Sequence, residues 1–219
     1  MNKTKTNFCI TALLLVIFII FTVSVKAVDV APIGPENSEI GFSALNKSAA
    51  DFIGQNDSMY DVSEIFGYVA LLTAAAFGAI GVYQLIKRKS IFKIDTQILI
   101  TGAFYVLVVI AYAFFEVVVV NYRPVLIEGV LEASYPSSHT MLALCLFGSA
   151  MLAISKYLKG NLLTVVKVVL AILMISTVFC RLLSGVHWLT DIIGGVLISC
   201  FLVMLYYSVS KLVEIKKEK

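Results

Sequence analysis

The chain is poor in charge and nearly bare of histidine. Only 14% of its 219 residues are charged, and two are histidines. It has four prolines, one tryptophan and four cysteines. Each scarcity excludes something. A formal net charge of +3 leaves no basic face for a nucleic acid, so no nucleic-acid partner is expected. Cys9, Cys145, Cys180 and Cys200 all lie in apolar stretches without C-x-x-C spacing. A thiolate metal centre or dithiol redox site is therefore not expected, and the four read as apolar packing. Cys9 has no lipobox-like surroundings. No glycine-rich nucleotide loop and no internal repeat stand out.

What is abundant is apolar sequence, 60% of the chain. Runs of about 20 apolar residues are long enough to cross a bilayer as helices. Six such runs are expected: Phe8–Val25, Ile65–Ile86, Ile94–Val120, His139–Ile154, Leu162–Phe179 and Leu189–Val209. The expected fold class is all-α, a polytopic membrane bundle of six transmembrane helices. The first run, within residues 1–28, reads as a retained span or as a signal peptide cleaved after Ala27. Its length favours retention. Residues 29–64 are polar and acidic, and short apolar stretches at Ile40–Leu45 and Ala49–Ile53 hint at an interfacial helix. Residues 65–210 form the expected helix bundle, and 211–219 a basic tail.

The lysines and arginines fix the expected orientation. Lys3 and Lys5, the Lys87–Lys93 loop, the Lys156–Lys159 loop and the C-terminal lysines fall on one side of six alternating spans. The positive-inside rule makes that side cytoplasmic. The acidic segment, the loop 121–138 and the loop 184–188 then share the extracytoplasmic face of a cytoplasmic membrane. Both histidines lie at that face.

Three segments there can do chemistry. The first is Glu116-Val-Val-Val-Val-Asn-Tyr-Arg123-Pro124. Alone, Arg123 could be an interfacial anchor and Pro124 a helix stop. The second is Pro136-Ser137-Ser138-His139, opening the fourth span. Serine is a favoured N-cap, and a helix N-terminus is a natural phosphate site. The third runs from Cys180-Arg181 to His187 and Asp191. If the last helix starts by His187, the histidine and Asp191 share a face; if it starts near Thr190, a turn must join them. Arg181 and Asp191 could also form a structural ion pair. Together the segments supply two guanidinium forks, hydroxyls, a helix start, two imidazoles and one carboxylate. These are the groups that phosphoryl transfer through a histidine requires.

With these motifs in view, the chain resembles the type 2 phosphatidic acid phosphatase family, which includes bacterial undecaprenyl pyrophosphate phosphatases. The family pattern is Lys, six residues, Arg-Pro; then Pro-Ser-Gly-His; then Ser-Arg, five residues, His, three residues, Asp. Residues 116–191 follow that order and spacing. The resemblance implies that Arg123, Ser137 and Arg181 bind phosphate, with Ser138 beside them. It implies that His187 is the nucleophile, Asp191 its orienting carboxylate and His139 the general acid. It implies no metal and no cofactor, and a membrane lipid as substrate: undecaprenyl pyrophosphate first, then phosphatidate or phosphatidylglycerol phosphate.

Three positions depart from the pattern. Glu116 stands where the family has lysine, and an ionised carboxylate repels phosphate. Ser138 replaces glycine, and Cys180 replaces serine. Two other readings stay open: a phosphotransferase to a lipid or sugar acceptor, and a non-catalytic lipid-binding member of the family.

Overall fold

The computed structural model describes residues 3–217. Residues 1–2, and 218–219 of the expected basic tail, lie outside the described residues. Seven α-helices are found among them: α1 Lys3–Ala27, α2 Ser43–Ile53, α3 Asp57–Arg88, α4 Thr96–Val117, α5 Ser138–Ala153, α6 Gly160–Leu183 and α7 Leu189–Lys217. All but α2 are long and apolar enough to cross a membrane, α5 together with the 3-10 turn that follows it to Lys156. Isolated β-bridges occur, but no sheet is formed among the described residues. The fold is therefore the six-span all-α bundle expected.

Burial separates inner helices from outer ones. In their most apolar windows α5 is 56% buried and α7 44%, against 11–22% for the other four spans. The outer helices present large apolar side chains outward, such as Leu72, Val106 and Ile172. That surface suits lipid rather than water. Inside, Phe104, Val108, Met141, Cys145, Ile198, Leu202 and Tyr206 form one core cluster. Some polar residues in the bundle find partners there, which lowers the cost of placing them in hydrocarbon. Tyr206 receives a hydrogen bond from Gln97 at 2.6 Å and lies 2.8 Å from the Thr101 hydroxyl.

One end of the bundle carries the basic loops. Arg88 pairs with Asp95 at 2.7 Å, and Lys156 lies 3.7 Å from Glu214. The hydrogen bond from Arg88 holds the Asp95 carboxyl below its usual range. The first pair closes the α3–α4 loop and the second joins the α5–α6 loop to the end of α7, and all three segments line one cleft.

The second span begins eight residues before the expected Ile65. Asn56 caps it, its side chain accepting from the Met59 N–H at 3.1 Å. Asp57, Asp61 and Glu64 then fall in the first turns, where carboxylates favour the positive end of the helix dipole. The acidic stretch that read as loop is thus partly helix. It brings Tyr60, Ser63 and Glu64 onto α3, at the end of the bundle opposite the basic loops.

Candidate active site

The site is built where α3, α5, α6 and α7 meet two loops. The first loop, residues 121–134, is a small hairpin. The Arg123 N–H donates to the Glu132 carbonyl and the Ser134 N–H to that of Asn121, at 3.0 and 2.9 Å. Its tip, Glu128-Gly129, has two positive φ angles, the geometry of a tight hairpin turn. The hairpin sets Arg123 opposite Glu132, with Nε 3.0 Å from Oε2. The second loop joins α6 to α7 and carries His187. Trp188 ties the two together by donating from Nε1 to the Tyr122 carbonyl at 2.8 Å.

The polar N-terminal segment braces this assembly. Asn46 of α2 is fully buried, donates to the Thr190 hydroxyl at 2.9 Å and accepts from the Thr190 N–H at 3.2 Å. The Asn56 N–H donates to the Ser184 carbonyl at 3.2 Å. Gly185 has φ +72°, and a Cβ there would lie 2.1 Å from the Gly54 carbonyl oxygen. Only glycine suits that turn. In α7, a Cβ on Gly194 would strike the Tyr135 ring at 2.4 Å, so glycine lets α7 close on the Tyr135–Ser137 segment.

His187 is buried at the centre. Its Nε2 lies 3.4 Å from Arg123 Nη1 and 3.5 Å from Arg181 Nη2. A guanidinium has donors only, so the ring nitrogen facing both must be the one without hydrogen. The proton then sits on Nδ1, 3.8 Å from Asp191 Oδ2. Because α7 begins at Leu189, His187 precedes the helix and the pair is joined through a turn. Asp191 is fully buried and accepts from the Trp188 N–H at 2.9 Å and from Asn121 Nδ2 at 3.2 Å. Burial, then the charges of Arg123, Arg181 and His139, hold the His187 imidazole well below its ordinary pKa. The ring is neutral at pH 7, with a free electron pair aimed between two cations.

Arg181 is buried at the end of α6. Its Nη1 donates to Ser63 Oγ and Glu64 Oε1, each at 2.9 Å, and its guanidinium carbon lies 5.0 Å from the Tyr60 ring centre. Its Nε is buried without a hydrogen-bond partner among the described residues. Ser137 is the N-cap of α5, yet its hydroxyl makes no capping bond and is buried without a partner among the described residues. The cap expected from sequence is therefore positional only, and the hydroxyl is left free. His139, in the first turn of α5, places Nε2 3.1 Å from Glu64 Oε1.

The three departures sit differently. Glu116 is exposed in the last turn of α4, where it lines a small cleft with Ser134, Ser138 and His187. Ser138 opens α5 and needs no glycine conformation there. Cys180 is half-buried one residue before Arg181. Every candidate site residue named from the sequence thus lies at this one end, and Arg123, Arg181, His187 and Asp191 form a contacting cluster. Sequence reasoning missed Glu64, Asn121 and Glu132, which partner His139, Asp191 and Arg123. Glu64 had a signal: an acidic residue at the start of an apolar run. Among the described residues no group of three His, Cys, Asp or Glu is placed to hold a metal ion.

These features define a class: an integral membrane helix bundle with two imidazoles and two guanidiniums gathered at one end. Comparison with known proteins gives the family. The model of the PAP2 superfamily matches residues 67–214, about two thirds of the chain, and the protein belongs to that superfamily. No curated protein matches. Among solved structures, the chain is similar to the first transmembrane PAP2 type phosphatidylglycerolphosphate phosphatase from Bacillus subtilis. The TM-score is 0.63 at 16% identity, covering 93% of this chain and 96% of that one. At that identity the likeness is one of fold.

Proposed function

We propose that this protein is an integral membrane lipid phosphatase working through a phosphohistidine, with its active site on the extracytoplasmic face. The observation that carries the reading is the buried His187, whose Nε2 lies 3.4 and 3.5 Å from two guanidinium groups. The Nε2 electron pair attacks phosphorus. Arg123, Arg181, the Ser137 hydroxyl and the N–H groups opening α5 hold the phosphoryl oxygens as charge spreads over them. Asp191 holds the Nδ1 proton and stabilises the cation that forms, as the acid of a catalytic triad does. His139 protonates the leaving oxygen. It then serves as base while water attacks the phosphohistidine.

The substrate is a lipid with a terminal phosphate. Undecaprenyl pyrophosphate is the first choice, on the family resemblance. Phosphatidylglycerol phosphate comes next, because the similar solved structure is of a phosphatase for that lipid, and phosphatidate follows. The chemistry needs no metal. We read the first span as retained: Thr22 of α1 lies 2.7 Å from the Tyr135 hydroxyl, next to the Pro136-Ser137 segment.

The test is phosphate release by purified protein from a panel of lipid phosphates and pyrophosphates, with and without chelator, beside His187→Ala. The expected result is chelator-resistant release, strongest with undecaprenyl pyrophosphate and lost in the variant. Unchanged release by His187→Ala would overturn the assignment. Loss with chelator and recovery with zinc or magnesium would overturn the metal-free chemistry.

A further inference from the structure

Glu64 lies three residues before the stretch matched to the superfamily, on a face of α3 that meets the site. Tyr60, Ser63, Glu64 and Gly67 follow the i, i+3, i+4, i+7 spacing of one helical stripe. Tyr60 lies against the Arg181 guanidinium. Ser63 accepts from Arg181 and donates to the Tyr60 carbonyl at 2.6 Å. Glu64 Oε1 meets Arg181 Nη1 at 2.9 Å and His139 Nε2 at 3.1 Å. At Gly67 a Cβ would fall 2.9 Å from His139 Cδ2, so the absent side chain lets the imidazole lie against α3.

One carboxylate oxygen therefore anchors two groups of the site. It engages Nη1 of Arg181 and leaves Nη2 beside His187. It also answers an electrostatic difficulty. A general acid must carry a proton, yet the Arg181 and Arg123 guanidiniums repel a charge on His139. Of the other carboxylates near the site, Asp191 faces His187, Glu132 pairs with Arg123, and Glu116 is exposed at the end of α4. Glu64 is the negative charge that faces His139.

We propose that Glu64 is the positioning residue of the general acid. It fixes the His139 ring and supplies the charge that lets the ring hold its proton until the leaving group departs. The inference rests on the phosphatase reading above. In the step concerned, the His187 Nε2 pair forms the N–P bond and the P–O bond to the lipid breaks. Its electron pair stays on the leaving oxygen, which takes the proton from His139. Glu64 remains a carboxylate throughout.

The test uses full-length Glu64→Gln, which keeps an acceptor oxygen of similar reach but removes the charge. First-turnover release is measured for two leaving groups. One is the lipid alcohol of a phosphatidate. The other is p-nitrophenolate, which departs without a proton. We expect release of the lipid alcohol to fall about 100-fold, the low end of general acid catalysis. The p-nitrophenolate burst persists, and its amplitude counts folded, competent sites. In a His139→Ala background, Glu64→Gln adds no further loss for the lipid, because the two act as one unit. Equal loss for both leaving groups would make Glu64 a structural brace and overturn the inference. So would no loss for either while wild-type protein is active. Wild-type protein inactive on every lipid phosphate would instead overturn the phosphatase reading, and this inference with it.

Discussion

The two histidines each face a carboxylate, and the two pairs differ in depth. Asp191 is fully enclosed, held by a backbone N–H and by Asn121, and its partner His187 is buried as well. Glu64 is 28% exposed and His139 23%, and they meet at 3.1 Å along the flank of α3. An enclosed pair whose carboxylate is held by two donors keeps one geometry, while a part-open pair has room to exchange with water and substrate. The contrast suits two tasks. A nucleophile needs a fixed line of attack, and an acid that later becomes a base needs contact with the leaving group and then with water.

The largest way to break the comparison is on the buried side. Asp191→Asn keeps the shape but removes the charge that stabilises a cationic His187, and kcat should fall about 10⁴-fold. A small loss, seen in steady-state phosphate release, would mean that His187 does not depend on Asp191. On the open side, His139→Ala should cost about 10²–10⁴-fold with lipid alcohol leaving groups. The loss should shrink as the leaving group improves, a trend read from a series of aryl phosphates. The pH profile sharpens the distinction. In the proposed mechanism His187 attacks as the neutral ring, and burial and its cationic neighbours lower its pKa. The acid limb of kcat/KM therefore belongs below the ordinary imidazole value of about 6.5. A limb above that value would contradict the buried, cation-flanked setting.

A brace rather than a reacting group comes next. Asn46→Ala leaves the Thr190 N–H without its partner, which should cost about 1–3 kcal/mol and lower Tm in detergent. The smallest effect is expected at Glu116, exposed beside the cleft. Glu116→Lys should lower KM by a factor on the order of five or less, as surface charges do. A collapse of activity would show that this carboxylate has a task of its own.

The spans, their number and the gathering of both histidines at one end were legible in hydropathy and in the placement of lysine and arginine. Those signals are long-range averages and survive errors at helix ends. That the motif residues would meet at one end was legible in their positions at span ends on one side of the bundle. What escaped was the supporting partners. Glu64 and Ser63 read as part of an acidic segment, since hydropathy places the span at Ile65 while the Asn56 cap starts the helix at Asp57. Asn121 and Glu132 act through a hairpin whose cross-strand pairing no periodicity announces. Asn46 reaches Thr190 across 144 positions of sequence, a contact that only the folded chain creates.

The central claim is that the enclosed pair holds the nucleophile and the open pair the acid. It is tested most directly by rapid-quench trapping with a substrate labelled on its terminal phosphate. Wild-type protein should carry an acid-labile, base-stable label during turnover, and His187→Ala none. His139→Ala should still become labelled from p-nitrophenyl phosphate and then lose the label slowly. Label retained by His187→Ala, or carried on His139, would contradict the account.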